Sequence, residues 1–326
     1  MKSTPTLLAA SFATTLATAV GMLAFPGCAH GVSSVSRSPA SFEVQGHRGA
    51  RGSRPENTLS AFRFALKAGV DTLEMDLNVT HDDVLVVTHD PALNPKICLA
   101  PSGKKITHTI LVRGLTLQEL KRYDCGTLIN PRFPEQVPQP GEPIPTFDEL
   151  LSWLDTDPDP RARVVRLNVE TKSEEAHPEY TPPPEKFSAL VLDALKRHHF
   201  MERTTLQSFD YRTLVAARAL DPAIETSILV EERPSEPLTV LAKRYQGNII
   251  SPDHEWLTKS DVEELHQIGV RVIPWTVNTP DAWAKLSSWK IDGIISDNPA
   301  ALLKFRSTLS KSTETHSRRE MPETDP

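Results

Sequence analysis

A histidine and an arginine stand between glycines at Gly46-His47-Arg48-Gly49. A carboxylate pair, Glu74 and Asp76, and a second histidine, in His89-Asp90, follow within a few dozen residues. These are the residue types a site for an anionic substrate needs. Imidazole moves a proton near neutral pH, and a guanidinium holds two phosphate oxygens in a planar fork. Glu74 and Asp76 are two apart, so on a strand their side chains share one face. Two such carboxylates repel unless a cation lies between them. Glu170, at the end of another apolar run, completes an all-oxygen set suited to Mg²⁺ or Ca²⁺ rather than zinc. His47 and His89 are therefore the candidate proton-transfer pair, one to take a proton from the nucleophile and one to protonate the leaving oxygen. Arg48 would hold a non-bridging oxygen, and Lys172 would add positive charge. Trp275 offers either an apolar wall or plain packing. Asp297 either orients its neighbours or caps a turn. His254, at a strand end, either lines the site or does not.

The elements that must position these residues alternate between strand and helix. Thr58 caps a helix whose apolar face is Leu59, Phe62, Ala65 and Leu66, and Gly69 closes it. Strands are expected at Phe42–Val44, Val70–Leu77, Val84–Val87, Arg163–Val169, Thr204–Gln207, Glu225–Val230, Asn248–Ile250, Arg271–Thr276 and Gly293–Ser296. Helices at Lys186–Arg197, Tyr211–Leu220, Pro237–Arg244, Ser260–Ile268 and Thr279–Ser288 separate most of them. This alternation implies an α/β fold with a parallel sheet covered on both faces. The candidate residues collect at strand C-terminal ends, the face where barrel active sites form. One strand candidate exceeds the eight of a barrel, and the pattern does not identify it.

Several motifs resemble the glycerophosphodiester phosphodiesterase family. They are the run from His47 to Phe62, the run from Leu73 to Asp90, Glu170-Thr171-Lys172, Ser208-Phe209, Trp275-Thr276-Val277-Asn278 and Ser296-Asp297-Asn298-Pro299. The resemblance spans about His47 to Pro299. It implies a parallel (β/α)8 TIM barrel of the phospholipase C-like phosphodiesterase type. It also implies metal-ligand roles for Glu74, Asp76 and Glu170 with a divalent cation, Ca²⁺ or Mg²⁺, and an acid–base role for His47 and His89. The implied activity is hydrolysis of glycerophosphodiesters to glycerol 3-phosphate and an alcohol, by internal attack or by water. Two alternatives are a phospholipase D-like hydrolase of lysophospholipids and a catalytically inactive phosphodiester-binding envelope protein. Retention of both histidines and all three carboxylates weighs against the latter.

The chain has 326 residues, net charge -6 and a pI near 6.0, which gives no reason to expect a nucleic-acid partner. No protein partner is evident; the expected partner is a small phosphodiester. Residues 42–305 have the size of one barrel. Ten of the chain's 28 prolines fall in Asn130–Pro145 and Pro178–Pro184, so an insertion is expected over about 91–145, with little core of its own. Residues 1–31 have the basic start and apolar run of an export signal, and Phe25-Pro26-Gly27-Cys28 resembles a lipobox with unusual residues at Phe25 and Pro26. Cys28 is thus the expected lipidation site, with cleavage after Gly31 or a retained anchor as alternatives. The expected location is periplasmic or anchored to a membrane in a bacterial envelope. With Cys28 set aside, Cys98 and Cys125 remain as a disulfide pair or as two free thiols. Residues 32–41 read as a linker, and residues 306–326 as a disordered tail.

Overall fold

A computed structural model describes residues 42–319. The expected signal segment, the linker and Cys28 lie outside the described residues. Eight strands run parallel in the order β8-β7-β6-β5-β4-β2-β1-β9. They are β1 (Glu43–Gly46), β2 (Thr72–Val79), β4 (Arg166–Thr171), β5 (Thr204–Ser208), β6 (Glu225–Val230), β7 (Ile249–Pro252), β8 (Arg271–Val272) and β9 (Gly293–Ser296). Backbone bonds from Asp292 to Val272, from Ile295 to Pro274 and from Val277 to Ile295 bring the outer strands together into a nearly closed (β/α)8 barrel.

The surplus strand is β3 (Leu85–Val87). It pairs antiparallel with β2, Leu77 opposite Val87, and lies off the barrel path. Because it runs backward along β2, its C-terminal end returns to the level of Asp76, whose carbonyl accepts from the Thr88 amide at 3.0 Å. His89 is therefore delivered to the barrel mouth by a hairpin, and not by a barrel strand.

The surrounding helices form where apolar spacing and caps coincide. In α1 (Leu59–Ala68) the Thr58 hydroxyl accepts from the Ala61 amide at 3.2 Å, and Gly69 ends the helix at φ 92°. Its buried face, Ala61, Phe62, Ala65 and Leu66, packs into the main core. The chain continues through α2 (Leu117–Leu120), α3 (Phe147–Thr156), α4 (Pro184–Arg197), α5 (Tyr211–Leu220), α6 (Leu238–Tyr245), α7 (Lys259–Gln267), α8 (Pro280–Ser288) and α9 (Pro299–Arg319). The last corrects the expected disordered tail. As far as Leu309 this helix is docked on the barrel, since Leu302 and Leu309 pack against the core and Arg306 donates to the Phe42 carbonyl at 2.9 Å.

A second correction concerns the segment between β3 and α3. It has a core of its own, in which Leu93, Ile106, Val112, Leu120 and Ile144 pack around a Cys98–Cys125 disulfide with Cα atoms 4.0 Å apart. The barrel interior also differs from stacked aliphatic layers. Asn168 Nδ2 on β4 donates to Gln45 Oε1 on β1 at 2.8 Å and to Gln207 Oε1 on β5 at 2.9 Å. Gln207 Nε2 passes this polar ladder up to Glu74 at 2.8 Å. Buried amides need such partners, and here they hold a carboxylate in place.

Candidate active site

The loop after β1 is built by its glycines. A Cβ on Gly46 would sit 2.1 Å from the Gly49 carbonyl oxygen. Gly49 has φ +82° and would drive a Cβ to 2.7 Å from Ala61 in α1. The tight turn that results puts Arg48 at φ 49° and aims its amide at Glu74 Oε2, 2.7 Å away. His47 leaves β1 with its own amide bonded to the Ser296 carbonyl.

The two histidines share one design. His47 Nδ1 lies 2.6 Å from Asp297 Oδ1, and His89 Nδ1 lies 2.7 Å from Asp90 Oδ1. A carboxylate only accepts, so each ring carries a proton on Nδ1 and turns Nε2 away from its carboxylate. His47 Nε2 is 4.0 Å from Glu74 Oε2, and His89 Nε2 accepts from Lys172 Nζ at 3.0 Å. Burial, and after it the Arg51 guanidinium, lowers the His47 pKa to about 4 against the opposing pull of Asp297. His47 is therefore neutral at neutral pH.

Asp297 is the hub of this half of the site. It accepts from His47, from Arg51 Nε at 2.5 Å and Nη2 at 3.3 Å, and from Asn278 Nδ2 at 2.8 Å. Burial raises its pKa, but His47 and Arg51 outweigh burial and hold the carboxyl well below its usual range.

Glu74, Asp76 and Glu170 offer one oxygen each within 4.8 Å of one another, and all three are buried. Burial raises the pKa of Glu74 and of Glu170, and the charge of Asp76 adds to both effects. Burial would raise Asp76 too, yet Arg48, His89 and Lys172 keep it ionised. Asp76 Oδ2 accepts from Asn57 Nδ2 at 2.8 Å, while Asp76 Oδ1 is buried without a hydrogen-bond partner. A buried carboxylate oxygen is seldom left unsatisfied. An orphaned oxygen between two carboxylates that burial and repulsion push toward protonation is what a hard divalent cation relieves. The three residues fit such an ion.

Arg48 differs from the free phosphate fork expected of it. Its Nη1 donates to Glu56 at 2.6 Å and its Nε lies 3.3 Å from Asp76, so it is held inside the site by two carboxylates. Lys172 likewise donates to Glu170 at 2.7 Å as well as to His89. Trp275 donates from Nε1 to the Ser251 carbonyl and meets Phe209 edge to face at 5.5 Å.

His47, Arg48, His89, Glu74, Glu170 and Trp275 thus line one cavity of about 320 Å³, and His254 joins them. Arg51, Asn57, Gln207, Asn278 and Arg132 also act in or around it, although none stood out as chemistry in the sequence. The signals were present for Arg51, which sits inside the first motif, and for Asn278, which closes Trp275-Thr276-Val277-Asn278. Arg132 had no signal beyond its place in a proline-rich loop.

The model of the Glycerophosphoryl diester phosphodiesterase family matches residues 47–301. A glycerophosphodiester phosphodiesterase of Caldanaerobacter subterraneus is 29% identical over 263 residues, 80% of this chain and 96% of that one. A crystal structure of a Silicibacter pomeroyi DSS-3 protein superposes with a TM-score of 0.78 at 32% identity, covering 83% of this chain and 95% of the other. An Oleispira antarctica phosphodiesterase, solved in complex with its product sn-glycerol-3-phosphate, gives a TM-score of 0.67 at 25% identity, covering 81% and 96%.

Proposed function

This chain belongs to the glycerophosphoryl diester phosphodiesterase family, and from that premise we propose that it hydrolyses glycerophosphodiesters to glycerol 3-phosphate and an alcohol. His47 and His89 are the proton-transfer pair, and Glu74, Asp76 and Glu170 hold a divalent cation, Ca²⁺ or Mg²⁺. The observation that carries this reading is the matched pair of histidines. Each has Nδ1 fixed by a carboxylate and both line the cavity beside the three acids. One histidine takes the nucleophile's proton on its free Nε2, while the other enters as the imidazolium and gives its Nε2 proton to the departing oxygen; each carboxylate stabilises its ring while that ring is charged. Lys172 holds the His89 ring and keeps positive charge beside Glu170. When bound, the cation supplies Lewis acidity and positive charge against the charge that develops on the phosphoryl oxygens. The Asp297–Arg51–Asn278 cluster fixes the His47 tautomer, so no reorganisation is needed at the moment of reaction.

The test is release of glycerol 3-phosphate from glycerophosphocholine by the purified chain, with and without chelator. Turnover that a chelator stops and Ca²⁺ or Mg²⁺ restores supports the reading; no release under any metal condition defeats it.

A second reading, hydrolysis of lysophospholipids, has one observation in its favour. An open groove of about 1060 Å³, with Tyr211, Val215, Ala216, Ala219 and Tyr245 along it, shares Phe209 with the catalytic cavity. It lies along α4 and α5 and not on the insertion. Relative rates on acylated and water-soluble diesters separate the two readings.

The lipid anchor on Cys28 and a location in a bacterial envelope stay part of the proposal on the strength of the N-terminal sequence. Among the described residues no helix is long and apolar enough to cross a membrane.

A further inference from the structure

The catalytic cavity is crowded with acid. Glu74 and Glu170 line its floor, and Asp253 and Glu255, on the loop after β7, line it as well. A phosphodiester is an anion, and a divalent cation on Glu74, Asp76 and Glu170 would leave Asp253 and Glu255 uncompensated, so a cationic side chain that is still free favours its capture. Arg48 is held by Glu56 and Asp76, Arg51 by Asp297, and Lys172 by Glu170. The remaining arginine in the cavity lining is Arg132. It is exposed, and among the described residues no carboxylate pairs with its guanidinium.

Arg132 is also carried on a fastened loop. Gln136 Nε2 donates to the carbonyls of Arg51 at 2.5 Å and Arg54 at 3.0 Å, and the Val137 amide donates to Ser53 at 3.0 Å. Asn130 Nδ2 reaches Glu56, the partner of Arg48, at 3.4 Å. The Phe133 ring meets two guanidinium groups, Arg51 at 5.1 Å and Arg132 at 5.9 Å from its centroid. The proline-rich segment is thus tied to the loop that carries His47, and it brings one uncommitted fork into the cavity lining.

We propose that Arg132 is a substrate-binding residue of this site, holding the phosphoryl oxygens of the incoming diester through its free guanidinium fork. The inference rests on the hydrolytic reading above for its substrate class. Arg132 would act on capture and orientation, because the proton-transfer groups are complete without it.

The test compares wild type, Arg132→Gln and Arg132→Lys in the full chain, with kcat and KM measured on glycerophosphocholine over a range of ionic strength. Calorimetric titration with glycerol 3-phosphate forms a second arm. In Arg132→Gln, KM should rise about 5- to 20-fold, as expected for loss of a charge-assisted contact at the edge of a site, and its salt dependence should flatten. Turnover at saturation should stay within about threefold, Arg132→Lys should recover part of the loss, and the melting temperature should not move. A KM within twofold of wild type, or a fall in kcat with KM unchanged, overturns the proposal. If wild type releases no glycerol 3-phosphate, the hydrolytic reading fails by itself. The titration then decides: affinity for glycerol 3-phosphate equal in wild type and Arg132→Gln overturns the role of Arg132, and a loss of about fivefold or more sustains it.

Discussion

Replacing Asp297 by Asn removes one charge and nearly no volume, and it strikes stability and chemistry together. Arg51, only 6% exposed, has Asp297 as its ion-pair partner through Nε at 2.5 Å. Stripping one partner from a buried pair typically costs about 3–5 kcal/mol, because the remaining charge is left in a medium that solvates it poorly. At roughly 2–4 °C per kcal/mol for a chain of this size, the melting temperature should fall by about 6–20 °C. His47 Nδ1 would face an amide that can donate as well as accept, so the tautomer with a free Nε2 is no longer enforced. Loss of a tautomer-fixing carboxylate lowers turnover by about 10²- to 10⁴-fold in comparable sites, and KM should change much less. The pH dependence follows from the sign of the shift. Asp297 has a folded pKa below its ordinary value of 3.8. Its contribution is fully present above that value and is lost as pH falls through the folded one. The stability gap between wild type and Asp297→Asn should therefore be complete at neutral pH, begin to narrow below about pH 4 and close only as pH falls through the lower folded value. Thermal unfolding at several pH values, with steady-state kinetics on glycerophosphocholine at neutral pH, measures all three effects. A folded Asp297→Asn that melts within about 2 °C of wild type and turns over within about threefold would refute the hub assigned to this carboxylate.

His47→Ala and His89→Ala should each lower kcat by about 10²-fold or more, with circular dichroism and melting curves showing that the fold survives. Near-normal turnover in both folded variants defeats the proton-transfer assignment. Chelation should abolish activity, and calorimetry should find weaker Ca²⁺ or Mg²⁺ binding in Glu74→Gln and Asp76→Asn, since each removes a charged oxygen; full activity in protein free of metal by elemental analysis rules the site out. Reduction of Cys98–Cys125, 27 residues apart, should destabilise the chain by about 2–4 kcal/mol, and an unchanged denaturant midpoint under reducing conditions would contradict it. Labelled fatty acid should enter the wild type and not Cys28→Ser, because stable anchoring takes more than one acyl chain attached at that residue. A mature N-terminus at Val32, read by mass spectrometry, would replace lipidation with simple cleavage.

The parallel barrel and the family were legible in the chain's local patterns. Local rules act over a few residues. The Thr58 cap, the Gly69 stop and the glycines around His47 and Arg48 are each readable where they stand, and α5 begins and ends where its pattern does. The two-residue spacing of Glu74 and Asp76 fixed their common direction before any tertiary contact was known. Relations between residues far apart in the chain were not legible there, because packing alone sets them. That β3 is the strand outside the barrel, returning His89 to the mouth, depends on antiparallel pairing that an apolar run does not announce. That Asp297 orients His47 depends on a contact across 250 positions, made possible because β1 and β9 are neighbours. The commitments of Arg48 to Glu56 and Asp76, and the freedom of Arg132, were likewise invisible. A charged residue's type says which partners it can take, and only the packing says which of them is already there.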